Sequence, residues 1–364
     1  MDTSHPQALV VGAGIVGRSV AYHLSRRDFA VAVIDAGPSG TSDTSRASLG
    51  VLTHFNGGDN PLSRFYRDSH EGFSSLAAEL REEIGVDIGW REPGGVDLII
   101  TDDDEAQAEE TLAFNAERGC AAERLDGDML RRMEPGLGEQ VRAGVYFPGD
   151  HRVDPEKLSE GLLRGVQLRG GTVDFDEELL EIEIAGKGRV LARTGKGERT
   201  ADFLVLAAGS WSRALGEKLG ATIPVRPIRG QHCRFAGGEQ VRHVLRHGGH
   251  HLLPVEERIA VGTTVEEVGF DTSVTAEAAD IFEAAFTSVL NLPCAPGEQR
   301  AGLRPKPKGG RPLIGPLTEY PQVFVATGHY KNGVLMGPLT GRVVAAWMAT
   351  GEAPRDMSYF APER

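Results

Sequence analysis

Apolar positions along the opening stretch of the chain alternate between strand and helix rhythm. Ala8-Leu9-Val10-Val11 is a short, wholly apolar run of the kind buried on both faces of a parallel sheet. It leads straight into Gly12-Ala13-Gly14-Ile15-Val16-Gly17, then a helical stretch to about Arg27, then a second apolar strand, Ala30 to Ile34, that stops at Asp35. The helical spacing of Phe65, Phe73, Leu76, Ala77 and Leu80 predicts a packed amphipathic helix over 64–83. Residues 85–150 mix short strands, 96–100 among them, with an acidic helix opened by Asp102, Asp103, Asp104 and Glu105. Asp154 and Pro155 suit the N-cap and first position of another helix. Strands follow at 172–175 and 179–184, and Phe203 to Leu206 is a second buried parallel-type strand ending in the small-residue turn Ala207-Ala208-Gly209-Ser210-Trp211. Residues 223–291 return to strands, most clearly 258–264, before an alanine-rich helix over 276–290, and an apolar helix runs through Trp347.

The first of these units carries chemistry. A strand, a G-x-G-x-x-G turn, a helix, a strand and then an acid near the expected interval of about 20 residues is the order of a dinucleotide-binding unit. Gly12 permits the tight turn, Gly14 lets backbone approach a pyrophosphate, and Gly17 lets the helix pack close to the strand. The helix N-terminus presents free N–H groups and the positive end of its dipole to phosphate, and Asp35 can accept from a ribose hydroxyl. The alternative is a glycine turn of an α/β protein that holds no nucleotide. The following segment, Gly40 to Gly50, is rich in hydroxyls (Thr41, Ser42, Thr44, Ser45, Ser48), which suits either phosphate and ribityl contacts or a solvated turn.

Composition narrows the partners. The 364 residues suffice for two domains or one interleaved body, and 40% hydrophobic with 25% charged residues is an ordinary globular balance. The net charge of −13 repels phosphate backbones and anionic lipid, so no nucleic-acid and no membrane partner is expected. The 47 glycines are well above the average share and suit tight turns around a ligand. The cysteines, Cys120, Cys233 and Cys294, form no C-x-x-C pair, so neither a disulfide framework nor a thiolate metal site is encoded. No signal-peptide pattern opens the chain at Met1 to Pro6, and a cytoplasmic location is expected. His243, His247, His250 and His251 raise a metal reading, with His243 and His247 sharing a helix face at i, i+4. The alternative is a packed or solvated histidine cluster.

With the glycine turn, the Ala207-Ala208-Gly209 strand end, Ala301-Gly302-Leu303-Arg304-Pro305 and Gly328-His329-Tyr330-Lys331-Asn332-Gly333 in that order, the whole chain resembles the D-amino-acid oxidase superfamily of flavoproteins, most nearly the glycine oxidases. The resemblance implies an α/β fold with a Rossmann-like FAD-binding domain (1–84, 151–222 and 300–364). This would be interleaved with a substrate domain on a mixed or antiparallel sheet (85–150 and 223–299). It also implies oxidation of an amine or small amino acid by hydride transfer to flavin N5, an imine that hydrolyses to an oxo acid, and O2 reduced to hydrogen peroxide.

Carried onto this chain, the resemblance assigns FAD contacts to Gly12, Ala13, Gly14, Ile15, Val16, Gly17, Asp35 and Ala36. Thr44, Ser45, Arg46, Ala47, Ser48, Gly50, Leu52, Leu179, Ala207, Ala208, Gly209 and Trp211 follow, then Arg304 and His329, Tyr330, Lys331, Asn332, Gly333, Val334 and Leu335. Arg304 takes the substrate carboxylate, a match that its planar fork suits. Read without the resemblance, it is a surface arginine in a loop rich in proline and lysine. His251, Lys331 and Tyr330 line the substrate pocket. Lys331 stands where the family has arginine and His251 where it has tyrosine, departures that point to a different or larger amine.

The helix after Gly333 would aim its N–H groups at the flavin, or is simply a core helix with Pro338 in its first turn. Pro305-Lys306-Pro307-Lys308 offers no cysteine for covalent attachment, so FAD is expected to be noncovalent, and 262–267 offers no lysine for oxygen activation. A homo-oligomer is expected. Two other functions stay open: an FAD-dependent dehydrogenase or oxidase of a 2-hydroxy acid or specialised amine, and a non-catalytic nucleotide-binding module.

Overall fold

The structure, a computed structural model, describes residues 5–38, 43–54 and 58–363. Of the stretches read above, Met1 to Ser4 and Gly40 to Ser42 of the hydroxyl-rich loop lie outside the described residues.

Among the described residues, the apolar strands assemble into a six-stranded sheet ordered Leu313–Pro316, Val323–Thr327, Phe203–Leu206, Gln7–Val11, Ala30–Ile34, Thr172–Asp174. All neighbours are parallel except the first pair. Parallel strands need both faces covered, which is why these segments are apolar runs rather than alternating ones. On one face Val10, Val33 and Val205 join helices Ile15–Ser25, Pro61–Glu79, Pro155–Leu168 and Gly333–Thr350 in one core. On the other, Leu9, Val11 and Leu204 pack on a three-stranded meander, Leu179–Ile184, Val190–Thr194 and Gly197–Ala201. Helices Ile15–Ser25 and Gly333–Thr350 cross closely, because Gly341 brings its backbone against Ser19: a Cβ there would stand 2.4 Å from the Ser19 backbone. Pro338 falls in the second turn of that helix, not the first, since the helix opens at Gly333.

The second sheet has eight strands in the order Pro296–Pro307, Val225–Ala236, Arg258–Gly262, His250–Val255, Val244–His247, Gly95–Ile99, Ala143–Phe147, Glu123–Asp126. Its pairs are antiparallel apart from Val244–His247 with Gly95–Ile99. The architecture is therefore the expected α/β one, a parallel nucleotide-type sheet with a mixed sheet beside it. Cys233, Phe235, Ile259 and Val261 turn one face of the second sheet toward helix Ala276–Val289. Strand alternation sends Gly230, His232, Arg234 and His251 to the opposite face.

The helix expected through His243 and His247 is not formed. Val244–His247 is a strand turned back on His250–Val255 by Gly248 and Gly249, both at positive φ (56° and 80°). A two-residue glycine hairpin overrides the i, i+4 spacing. His243 sits against the fully buried Glu134, and His247 Nε2 lies 3.4 Å from Asp104. Among the described residues no group of His, Cys, Asp and Glu is placed to hold a metal. No helix there is long and apolar enough to cross a membrane.

Candidate functional site

At the glycine turn, Gly12 has φ +107°, and a Cβ there would stand 2.5 Å from the Ala207 carbonyl, so only glycine fits. A Cβ on Gly17 would lie 1.9 Å from the Gly12 carbonyl, which fixes the helix against its own strand. Gly14 is different: its φ of −73° and ψ of 175° suit any residue, so glycine there serves close approach from outside. As N-cap it offers no side-chain partner to the helix amides, and Ile15 N donates to Ser45 Oγ at 3.2 Å.

Asp35 accepts from Ala13 N at 2.6 Å and from Gly37 N at 2.8 Å. Each carboxylate oxygen keeps a second lone pair, which is what a ribose hydroxyl needs. Sequence reasoning missed Arg18, which is 1% exposed. Its Nε donates to the Ala13 carbonyl at 2.6 Å and its Nη1 to Ser159 O at 3.1 Å, while Nη2 has no partner among the described residues. Burial pushes its pKa down to about 10, against the pull of Asp35. The signal was a cation placed directly after the third glycine, on a helix face that packing requires to be buried.

The other residues that the resemblance assigns to the cofactor are placed as follows. Gly50, at φ +71°, leaves no room for a Cβ beside the Val153 carbonyl, and Leu52 is fully buried in the short ribbon with His151. Ala47 O accepts from His232 Nδ1 at 3.1 Å, so that ring nitrogen carries the proton. Thr44 Oγ1 and Ser210 Oγ both donate to Leu303 O at 3.0 Å, tying the hydroxyl loop and the Gly209 turn to the residue beside Arg304. Gly209 O accepts from Thr327. Leu179, which opens the meander, is buried among Val11, Ile34 and Leu206, the last residues of three inner strands of the parallel sheet. Trp211 is 48% exposed, its ring 5.4 Å from Phe270. The His329 side chain turns inward, its Nε2 2.9 Å from Thr340 Oγ1, and burial pushes its pKa down to about 3. Asn332 Nδ2 donates to Tyr66 OH at 2.6 Å and opens helix Gly333–Thr350, in which Val334 and Leu335 are buried. That helix start has no side-chain cap.

Arg304 lies on strand Pro296–Pro307, opposite Ile228, with its guanidinium over Gly230. Its Nη1 donates to Thr264 O at 2.9 Å. Burial depresses its pKa, with Tyr330 and Glu266 opposing. Among the described residues no carboxylate comes within ion-pair distance of it. Glu266 is committed to Arg229, Gln231 and Thr264. Lys331 is nearby: burial, then Arg304, then Lys306, hold its pKa down. Tyr330 adopts φ +51° and places its ring under Lys306 Nζ (5.6 Å) and Lys331 Nζ (5.7 Å). A non-glycine residue at positive φ is costly and is retained where a site needs it. His251, opposite Gly262 in the sheet, is pushed down to about 4 by burial first and Arg246 next, with Lys331 contributing. Arg304, Lys331 and Tyr330 are thus neighbours, and Lys331 lies within electrostatic reach of His251.

The residues present fit a flavin dinucleotide: glycines that a Cβ would block, helix N-termini at Ile15 and Gly333 that their own N-cap residues leave uncapped, and an acid with spare lone pairs beside the first. The chain is 30% identical to the glycine oxidase of Geobacillus kaustophilus over 98% of its length and 96% of that protein's. The crystal structure of glycine oxidase from Geobacillus kaustophilus superposes with a TM-score of 0.90 at 26% identity, covering 99% of both chains. That of an iminodiacetate oxidase from a Chelativorans species gives 0.86 at 25% identity, covering 98% of this chain and 99% of that one. The sequence profile of FAD dependent oxidoreductases matches residues 7–347. The chain belongs to this FAD dependent oxidoreductase family.

Proposed function

We propose that this enzyme oxidises a small amine bearing a carboxylate, held by its carboxylate on Arg304. The observation that carries the reading is the buried guanidinium of Arg304, set over Gly230 near Lys331 and without an ion-pair partner among the described residues. A carboxylate received there makes charge-assisted, forked hydrogen bonds, each worth about 1.5–3 kcal/mol, and fixes the orientation of the α-carbon. Its similarity to a glycine oxidase and an iminodiacetate oxidase supports an amine as the group oxidised.

When bound, FAD supplies the two-electron acceptor. The chain contributes orientation and electrostatics. Arg304 and Lys331 disfavour a further positive charge, so a substrate ammonium loses its proton more readily in this pocket than in water. His251, neutral at pH 7, adds a wall without adding charge. The N–H groups at the start of helix Gly333–Thr350 offer positive potential where negative charge builds up. Arg18 and Asp35 hold the glycine turn, and Ser45 the first helix, in the conformation that receives the pyrophosphate.

FAD binding is noncovalent in this reading: Cys233 is buried on the sheet face turned away from Arg304, Cys294 is exposed, and Cys120 is remote in sequence from the site. The parallel-sheet half holds the cofactor, and the eight-stranded sheet supplies the substrate pocket. Dioxygen as electron acceptor, a homo-oligomer and a cytoplasmic location complete the proposal. The test is anaerobic addition of glycine, sarcosine, D-alanine and iminodiacetate to the flavin-loaded protein, following absorbance near about 450 nm, where the flavin chromophore absorbs. Bleaching by one of them, reversed by air with peroxide release, is expected. Bleaching by 2-hydroxy acids alone would overturn the assignment.

A further inference from the structure

A second cluster of cations lies apart from the site above. A cavity of about 200 Å3 opens between helix Pro155–Leu168 and the eight-stranded sheet, behind the one-turn helix Asp43–Arg46 that carries Ser45 and Arg46. The two residues face opposite ways. Ser45 Oγ meets Ile15 N at the glycine turn, while the Arg46 guanidinium reaches Glu156 in the cavity wall at 3.8 Å. Between them and the sheet, the bond from His232 to Ala47 O closes the partition. The cavity therefore backs onto the cofactor groove, and Arg46 and Ser48, which the resemblance assigns to FAD, line its near wall.

Its charged lining is Arg46, Arg91, Arg152, Arg234 and Lys157 against Asp154, Glu156 and Glu256. The acids are already engaged. Asp154 Oδ1 caps the helix by accepting from the amides of Glu156 (2.9 Å) and Lys157 (3.1 Å). Glu156 pairs with Arg300 and Arg234, and Glu256 with Lys157. Arg91 has its counter-ion outside the cavity, in Asp87.

Arg152 is left over. Its Nη1 donates to the Pro254 carbonyl at 3.1 Å, its buried Nε has no partner, and among the described residues no carboxylate stands within ion-pair distance. The buried Nε of Arg234, in the same lining, also has no partner, while its Nη1 and Nη2 pair with Glu298 (3.9 Å) and Glu156 (3.3 Å). A half-buried guanidinium without a counter-ion is costly, more so beside another arginine. Burial and Arg91 together depress the Arg152 pKa, with only Asp154 opposing.

We propose that this cavity is a binding site for a phosphate-class oxyanion, received by Arg152 and Arg234. A tetrahedral oxyanion presents acceptors in several directions and can take N–H groups from two guanidinium forks at once. The volume exceeds that of the anion, and Leu49, Leu253, Val255 and Ala260 leave an apolar wall for the body of a phosphate monoester.

The experiment uses flavin-loaded enzyme, so that the pyrophosphate groove is filled, in chloride buffer at constant ionic strength. Inorganic phosphate and phenyl phosphate are titrated while Tm and heats of binding are followed. A saturable rise in Tm is expected, with affinity falling at least tenfold in Arg152→Gln and in Arg234→Gln. Flavin absorbance and phosphate-free Tm show that each variant is folded. Tighter binding of phenyl phosphate would assign the ligand as a monoester; equal or tighter binding of phosphate, as the free anion. No saturable effect, undiminished affinity in both variants, or an effect confined to flavin-free protein would overturn the proposal.

Discussion

The guanidinium of Arg304 occupies the space above Gly230 that any other side chain would fill: a Cβ at position 230 would lie 2.0 Å from Nη2. The clashing atoms are the tip of a flexible side chain, so the sheet can tolerate a methyl there while the guanidinium cannot stay. Gly230→Ala should fold with near wild-type Tm and bind FAD, yet lower kcat/KM for a carboxylate-bearing amine at least tenfold, mainly through KM. Steady-state kinetics on the yellow variant check this. Unchanged KM would mean that the position of Arg304 does not matter to substrate.

Arg304→Ala removes the fork itself. The loss of a charge-assisted pair worth about 1.5–3 kcal/mol predicts a fall in kcat/KM of tenfold or more. Lysine at the same position should recover only part of it, since a point charge lacks the planar geometry. Flavin absorbance should be retained in both. Kinetics indistinguishable from wild type in Arg304→Ala would remove this residue from the substrate pocket.

Much of the cofactor half was legible because its signals are local. The glycine turn, its flanking apolar strands, Asp35 and the Asp154-Pro155 helix start all act over a few residues, and all are found where the sequence puts them. The substrate half depends on register. His251 shares a sheet face with the Arg304 site because it pairs with Gly262, Gly262 pairs with His232, and Gly230 lies two residues further along beneath Arg304. No spacing in a single chain announces that. The strand holding Arg304 was harder still, since Pro305 and Pro307 suggest a loop. It is tolerated as a strand because it forms the edge of its sheet, where a missing N–H can go unnoticed. His243 and His247 misled in the other direction, their helical spacing defeated by Gly248 and Gly249.

Gly14 and Gly17 make a matched pair with different expected failures. A side chain on Gly17 meets backbone at 1.9 Å, which cannot move aside, so Gly17→Val should lose stability and give little folded protein. Gly14 has a backbone that any residue adopts, so Gly14→Val should fold but purify colourless, because valine fills the approach to the pyrophosphate. Circular dichroism and the ratio of flavin to protein absorbance separate the two. A yellow, fully loaded Gly14→Val protein would contradict the placement of the cofactor.

Acid should destabilise the protein through imidazoles well before its carboxylates titrate. Burial pushes His70, His232 and His251 down to about 4, and His23 and His329 to about 3. In the unfolded chain each takes up a proton near pH 6.5, whereas in the folded protein it stays neutral. The stability each supplies is complete above pH 6.5 and is lost as pH falls toward its folded value, at about 1.4 kcal/mol per pH unit for each histidine. Urea midpoints should therefore drop steadily from pH 7 to pH 5. His329→Gln, which keeps a polar group facing Thr340 but cannot titrate, should lower the slope by about one proton. A midpoint that stays flat over this range would show that these imidazoles are protonated in the folded protein, and with that the reading of His251 as an uncharged wall would fall.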